Sequence, residues 1–463
     1  MAEIATFTAA ALARAYARRD LSPVEVAEAT LARMARLEPL LNAMVLVDAD
    51  GALRAARESE GRWFAGRPLS PLDGVPATVK DLMDLAGFPT RRGSRVTDPR
   101  PARHDSPAVA ALKAAGCVIL GKTTTTEFGW KSPGDCPLNG TTRNPWNPAR
   151  TPGGSSSGAG AAAAAGYGPL HIGTDAGGSI RIPAAWCGIV GVKPTFGRVA
   201  QWPLGAFAQV AVAGPMTRTV ADAARMLAAM SRHDWRDPFA LPDPPPDWLE
   251  GIDAPVAGLR VAIVRRLGFE PAAEESQWAA VERAAEALGE AGAIVEEADP
   301  EMPDARAVFV QVWANALARL VATIPPDRRQ LLDPPLLALA ERAPPMSAGE
   351  FLSVQAAAIE IAHGLAAFFR RYDALLCPVV PEAAPAADAP LDRPEEDLWR
   401  RWAPWTFAFN LSRQPAVAVP VGLGADGLPR AVQVVAPIYE DARALRLAHA
   451  IESALAPSTL APL

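Results

Sequence analysis

The sequence predicts an α/β protein built as one large domain. Strand-like and helix-like runs alternate: Gly74-Val-Pro-Ala-Thr-Val79 is followed by a helical stretch, Ser106 to Gly116, and then by Cys117-Val-Ile-Leu120. Strand, helix, strand is the signature of a sheet with helices packed on it. Strand-like runs return at the far end of the chain, at Ala416-Val-Ala-Val-Pro-Val421 and Ala431-Val-Gln-Val-Val435. No clean linker separates the two ends, although 463 residues would allow more than one domain.

The elements follow in order. Residues 1–70 read as helices. Ser22-Pro23-Val24-Glu25 is a capping box with proline at the first helical position. Val26, Leu31, Met34 and Leu37 then recur at roughly helical spacing. Residues 72–200 hold the strand, helix, strand unit, with the helix capped by Ser106 and ended by Gly116. They also hold two glycine-rich turns, an alanine-rich helix from Ala159 to Ala165, and a strand at Gly188-Ile-Val-Gly-Val-Lys193. Residues 233–256 are proline-rich and read as a surface connection. A strand at Leu259 to Val264, a helix from Ala272 to Ala291 and a strand at Ala293 to Glu296 come next. Residues 300–410 are mainly helical, and a final helix starts at Asp441.

Composition narrows the function. Half of the residues are hydrophobic, 21% are charged and the net charge is −6, which suits a globular protein and gives no basic face for nucleic acid. The five histidines and four cysteines fit no metal-ligand or redox spacing, so neither metal nor cofactor is expected and the thiols read as buried. The N-terminus has no basic region followed by an apolar core, and the longest small-residue run, Gly158 to Gly168, is too short for a bilayer. The expectation is a cytoplasmic protein without a membrane partner.

Three motifs compete for the chemistry. Gly116-Cys-Val-Ile-Leu-Gly-Lys122-Thr123 fits the phosphate-loop pattern, but its loop positions are strand formers and a helix precedes them. Gly154-Ser-Ser156-Ser-Gly158 fits a nucleophile elbow, but the three prolines between Asn144 and Pro152 exclude the strand that must come first. The third is a constellation. Thr151-Pro-Gly-Gly-Ser-Ser-Ser-Gly158 and Gly173-Thr-Asp-Ala-Gly-Gly-Ser-Ile-Arg181 each set a serine behind paired glycines, and Lys80 lies upstream. Free backbone N–H groups beside a hydroxyl are the material of a nucleophile and an oxyanion site. No histidine motif offers a base. A lysine would have to be held neutral near pH 7 against an ordinary pKa of about 10.4. Burial beside Val79, Leu82 and Met83 would do that. Asp81 would oppose it if it faced the lysine, but on a strand it points the other way.

Lys80, Ser155 and Ser179, with the tail motifs Asn410-Leu-Ser-Arg-Gln-Pro, Asp426-Gly-Leu-Pro429 and Gln433, resemble the amidase signature family. The resemblance is dense from Leu72 to Arg198 and returns in the tail. It implies a single domain with a mixed, mostly parallel sheet covered by helices. It implies amide hydrolysis without a cofactor: Ser179 as nucleophile, Ser155 after a cis peptide bond as proton bridge, and Lys80 as base. The backbone N–H groups of Ala176, Gly177, Gly178 and Ser179 would hold the oxyanion. Ser156 and Ser157 remain alternatives for the bridge, and Asp175 and Arg181 are expected to brace the loops. Two segments stand out as substrate walls: Phe128 to Cys136, with Gly129, Trp130 and Cys136, and the aromatic run Trp399 to Phe409, with Trp402 and Trp405. They suit a small apolar or aryl amide, an anilide or a carbamate. The alternative is the glutaminase-type amidase subunit of a tRNA-dependent amidotransferase, although Gln311 to Arg319 lacks the segment expected there. Relatives that form dimers make a homodimer the natural assembly to test.

Overall fold

The computed structural model describes residues 4–463 apart from 246, 247, 249, 344, 390–401 and 458. The strands of its main sheet are β1 (Met44–Val47), β2 (Pro76–Lys80), β3 (Val118–Thr123), β4 (Leu170–Asp175), β5 (Val190–Lys193), β6 (Val212–Thr217), β7 (Arg260–Ile263), β8 (Ile294–Glu297), β9 (Ala374–Pro378), β10 (Ala416–Leu423) and β11 (Pro429–Val435). They make one 11-stranded sheet in the order β1-β3-β2-β4-β6-β5-β10-β11-β9-β7-β8. The sheet is mixed, as expected, but it is not mostly parallel. Parallel pairing is confined to β3-β2-β4 and β9-β7-β8. The middle of the sheet, from β4 to β9 through β6, β5, β10 and β11, is antiparallel. Within it, β10 and β11 form a hairpin across Asp426-Gly427, which requires antiparallel pairing.

The helices are α1 (Ala9–Arg18), α2 (Pro23–Leu41), α3 (Ala49–Phe64), α4 (Pro107–Ala114), α5 (Ser157–Ala165), α6 (Arg181–Cys187), α7 (Val220–Met230), α8 (Glu275–Glu290), α9 (Ala305–Ala322), α10 (Pro334–Arg342), α11 (Ala348–Phe368), α12 (Ala408–Leu411) and α13 (Asp441–Leu455). The capping box forms as predicted: Glu25 N–H donates to Ser22 Oγ and Ser22 N–H donates to Glu25. Ser106 precedes α4, but its hydroxyl accepts from Asp84 N–H at 2.9 Å instead of capping the helix.

Strand alternation builds two cores, one on each face of the sheet. Along β10, Ala416 and Ala418 face one and Val417, Val419 and Val421 face the other. The first core is covered by α5, α6, α9, α10 and α11, the second by α4, α7, α8 and α13. A third cluster packs α2 and α3 against α5 and the β1-β3 edge. Among the described residues α11 alone is long and apolar enough to cross a membrane; it seats Val354, Ile361, Leu365 and Phe368 on the first core. All four cysteines are buried and unbridged, and burial pushes the Cys377 thiol up to about 12.

Candidate active site

The site forms where the carboxyl ends of the parallel strands β2 and β4 meet the amino ends of α5 and α6. Ligands of open α/β sheets bind at such strand ends. Lys80 is the last residue of β2 and is fully buried. Ser155 and Ser156 lead into α5, and Ser179 lies two residues before α6. The Gly154–Ser155 peptide bond is cis. Ser156 N–H donates to the Ser179 carbonyl at 3.2 Å, which ties the two serine turns together.

Lys80 Nζ has three hydroxyl neighbours: Ser155 Oγ at 2.8 Å, Ser156 Oγ at 2.8 Å and Thr174 Oγ1 at 2.9 Å. Among the described residues no carboxylate contacts it. Burial therefore holds its pKa well below the ordinary lysine value, with only the more distant Asp175 charge opposing. A neutral amine has two protons to donate and one lone pair to accept with. Ser156 is already committed: its hydroxyl donates to Thr174 O at 3.2 Å and accepts from Thr174 N–H at 3.3 Å. It therefore takes a Lys80 proton, and Thr174 takes the other, through Oγ1 at 2.9 Å and its carbonyl at 3.4 Å. The lone pair is left for Ser155 O–H.

Asp81, next in the chain, is removed from this picture by register. Lys80 pairs with Thr123 of β3 and Val79 pairs with Lys122, so Lys80 and Lys122 leave the sheet on opposite faces. Asp81 goes with Lys122, at 2.7 Å, and both are buried. The phosphate-loop lysine of the sequence pattern is thus a core cation. It donates to Pro89 O and Thr90 Oγ1.

The Ser179 turn is held by a buried ion pair. Arg181 reaches Asp175 through Nε at 3.0 Å and Nη2 at 2.9 Å. Its remaining protons go to Thr406 O, Gln433 and Asn410. Burial alone would raise the Asp175 pKa, but the Arg181 guanidinium and the Asn410 amide override it and hold the carboxylate charged. The expectation that Asp175 and Arg181 brace the loops is met.

Gly178 must be glycine on two counts. Its φ is +129°, and a Cβ there would lie 2.5 Å from Thr406 Oγ1. Its N–H, however, donates to Asp175 Oδ1 at 2.8 Å. That corrects one expectation, because a donor spent on a carboxylate is not free for an oxyanion. Among the described residues the N–H groups of Ala176, Gly177 and Ser179 have no such internal acceptor.

Ser155, Thr174, Ala176 and Ser179 line a cavity of about 310 Å³. Its apolar wall includes Leu82, Met83, Phe128, Trp202, Phe207 and Leu320. A narrow cleft on the other side of Ser179 is bounded by Gly129, Trp130, Gly177, Phe309 and Trp313. Gly129 borders both, and a Cβ on it would lie 3.1 Å from Ser155 Oγ. Trp130 is anchored by its indole N–H on Asp333, whose own backbone N–H donates to Glu127. Burial pushes the Glu127 carboxyl up to about 7.

The other substrate-wall expectations fail. Cys136 is buried against Asn139 and Gly93 and reaches neither cavity. Trp402 and Trp405 are buried in the first core; Trp405 donates to Ala272 O and packs edge-on against Trp278. Aromatic side chains in that run serve packing because the sheet face beneath them is apolar. Trp399 lies outside the described residues. The residues that sequence reasoning missed are Arg92, Arg319 and the segment 201–211, which carries Trp202 and Phe207. The signal that could have found them was Gln201-Trp-Pro-Leu-Gly-Ala-Phe207: aromatic residues in a stretch with neither helical nor strand period.

Comparison with known proteins now decides the family. The Amidase family model matches residues 25–445. The chain belongs to the amidase signature family. It is 35% identical to an acylamidase of Rhodococcus erythropolis, over 96% of this chain and 95% of the relative. It is 36% identical to a glutamyl-tRNA(Gln) amidotransferase subunit of Acidothermus cellulolyticus, over 98% of this chain and 95% of that relative. The solved structure of a bacterial aryl acylamidase of the amidase signature family superposes with a TM-score of 0.88 at 29% identity, covering 97% of this chain and 96% of that chain. As a member of this family, the chain is an amide-directed hydrolase.

Proposed function

We propose that this amidase hydrolyses the C–N bond of a small carboxylic amide through an acyl-enzyme on Ser179. The observation that carries the reading is Lys80, buried with no carboxylate in contact among the described residues and 2.8 Å from the Oγ of Ser155, which shares a cavity with Ser179. Ser179 Oγ attacks the carbonyl carbon as its proton passes to Ser155 and the Ser155 proton passes to Lys80. The N–H groups of Ala176, Gly177 and Ser179 receive the oxyanion; one such donor is worth about 3 kcal/mol in the transition state. As the C–N bond breaks, the proton returns through Ser155 to the departing amine. Water then attacks the ester and gives its proton to the same relay, which returns one to Ser179 Oγ as the C–O bond breaks and the acid is freed.

The apolar wall of the cavity supports aryl or alkyl amides, anilides or carbamates as substrates, with esters as a side reaction. The likeness to amidotransferase subunits keeps a glutaminase role as the rival reading. A panel of anilides, primary amides, esters, carbamates and glutamine separates them, with intact-mass detection of an acyl adduct. Hydrolysis of anilides by the isolated chain and an adduct on Ser179 are expected. Glutamine turnover that requires a partner protein would favour the rival. Full activity in Ser179→Ala would overturn the mechanism.

A further inference from the structure

We infer that Arg92 is an anion-binding residue of this cavity and that the preferred substrate carries a carboxylate away from its scissile amide. The inference rests on the amidase reading and adds the substrate's charge to it.

Among the described residues the cavity beside Ser179 is lined by two arginines, Arg92 and Arg319, and by no Asp or Glu. Arg319 is exposed at the rim and donates to Ala206 O. Arg92 is half-buried, and among the described residues its guanidinium has no ion pair and no hydrogen bond. Asp81, whose carbonyl accepts from the Arg92 N–H, has its carboxylate spent on Lys122. An arginine carries five donors and stays charged at any working pH. One left without an acceptor in a cavity is matched to an anion from outside, and its planar fork suits a carboxylate.

Hydrogen bonds fix the Arg92 backbone beside the site. Arg92 N–H donates to Asp81 O at 3.1 Å, one residue past Lys80, and Arg92 O accepts from Phe128 N–H at 2.8 Å, one residue before Gly129. The residue is pinned between the two segments that flank Ser155. It holds φ of +55°, a left-handed conformation that costs a non-glycine residue about 1 kcal/mol or more. Phe128, its hydrogen-bond partner and another cavity residue, is also left-handed, at +51°. Strained backbone of this kind gathers at ligand sites.

The test uses two matched pairs: succinanilate and its methyl ester, with the charge on the acyl arm, and para-acetamidobenzoate and its methyl ester, with the charge on the amine arm. Binding to Ser179→Ala protein is measured by calorimetry, so that turnover is not required. At least one acid should bind about tenfold or more tighter than its ester. Adding Arg92→Met should remove that preference, and Arg92→Lys should restore part of it. In the active enzyme the same change should appear in KM for the acid. An acid-to-ester ratio that is the same with and without Arg92→Met, or an ester preferred in both pairs, overturns the inference. Tight acid binding that depends on Arg92, with no hydrolysis and no adduct in the active protein, would uphold the anion site and sink the amidase reading alone.

Discussion

Lys80 and Lys122 stand on neighbouring strands, both fully buried, and they keep different company. Lys122 has a carboxylate at 2.7 Å, a carbonyl and one hydroxyl; Lys80 has three hydroxyls, a carbonyl at 3.4 Å and, among the described residues, no carboxylate in contact. Burial disfavours the charge on both, but Asp81 pulls Lys122 back toward the charged form, whereas Lys80 has only the distant Asp175, itself held by Arg181. The pleat makes the difference. A shift of one residue in register sends one lysine to the chemistry and the other, with Asp81, to the structure. A buried lysine is therefore a candidate base only where its partners can neither neutralise it nor share its charge.

The largest effect should come from Lys80→Met. Activity on an anilide should fall about 10⁴-fold, with the melting temperature at pH 7 unchanged or higher, because a buried amine that resists protonation is replaced by an apolar chain of similar shape. Activity retained by this variant would break the comparison. Lys122→Met should do the reverse. It strands Asp81 in the core and should cost about 3–5 kcal/mol of stability in denaturant titration. Lys122→Met with Asp81→Leu should recover most of that loss; if it does not, the pair is not what Lys122 is for.

The pH dependence sharpens the contrast. Because the folded pKa of Lys80 is depressed, kcat/KM should fall as pH drops through it. Stability follows the same sign. The unfolded chain binds a proton at Lys80 that the folded chain refuses, so wild-type stability relative to Lys80→Met should rise with pH from the depressed value up to about 10.4. A stability difference that stays flat with pH would mean that the lysine is charged in the fold. The smallest effect is expected of Thr174→Val, which removes one acceptor from Lys80. An acceptor favours the charged amine more than the neutral one, so the acidic limb of the rate profile should move to lower pH, with about a tenfold loss of rate.

Much of this arrangement is legible in the amino-acid sequence. The glycine-serine turns, Lys80 and the opposed direction of Asp81 all follow from residue chemistry and strand period. The strands that escaped are β1, β4, β6 and β9. β4, Leu-His-Ile-Gly-Thr-Asp, mixes polar residues into a buried strand because His171 bonds Thr78 and Thr174 bonds Lys80. β6 carries Gly214 and Pro215 in the middle of the sheet. Proline is tolerated there because β5 pairs with β6 only at Met216 and Thr217, which leaves the Pro215 side unpaired toward β5. The cavity walls were the least legible part. Aromatic density pointed to Trp402 and Trp405, but a run of large rings covers an apolar sheet face as readily as it covers a substrate. Arg92 carries no pattern in the sequence; what marks it is an unmatched charge, and that appears only once its neighbours have chosen their partners.

The Arg181 fork sets an order of events in the life of the chain. The turn that presents Ser179 is held by Thr406, Asn410 and Gln433, residues made more than two hundred positions later. Such distant contacts close late in folding. During synthesis the lysine and both serines leave the ribosome long before the tail that fixes them, so the growing chain carries its reactive groups without their alignment. A hydrolase assembled this way becomes competent only near completion, and a product that stops short of β11 holds every reacting side chain yet lacks the anchor of its nucleophile.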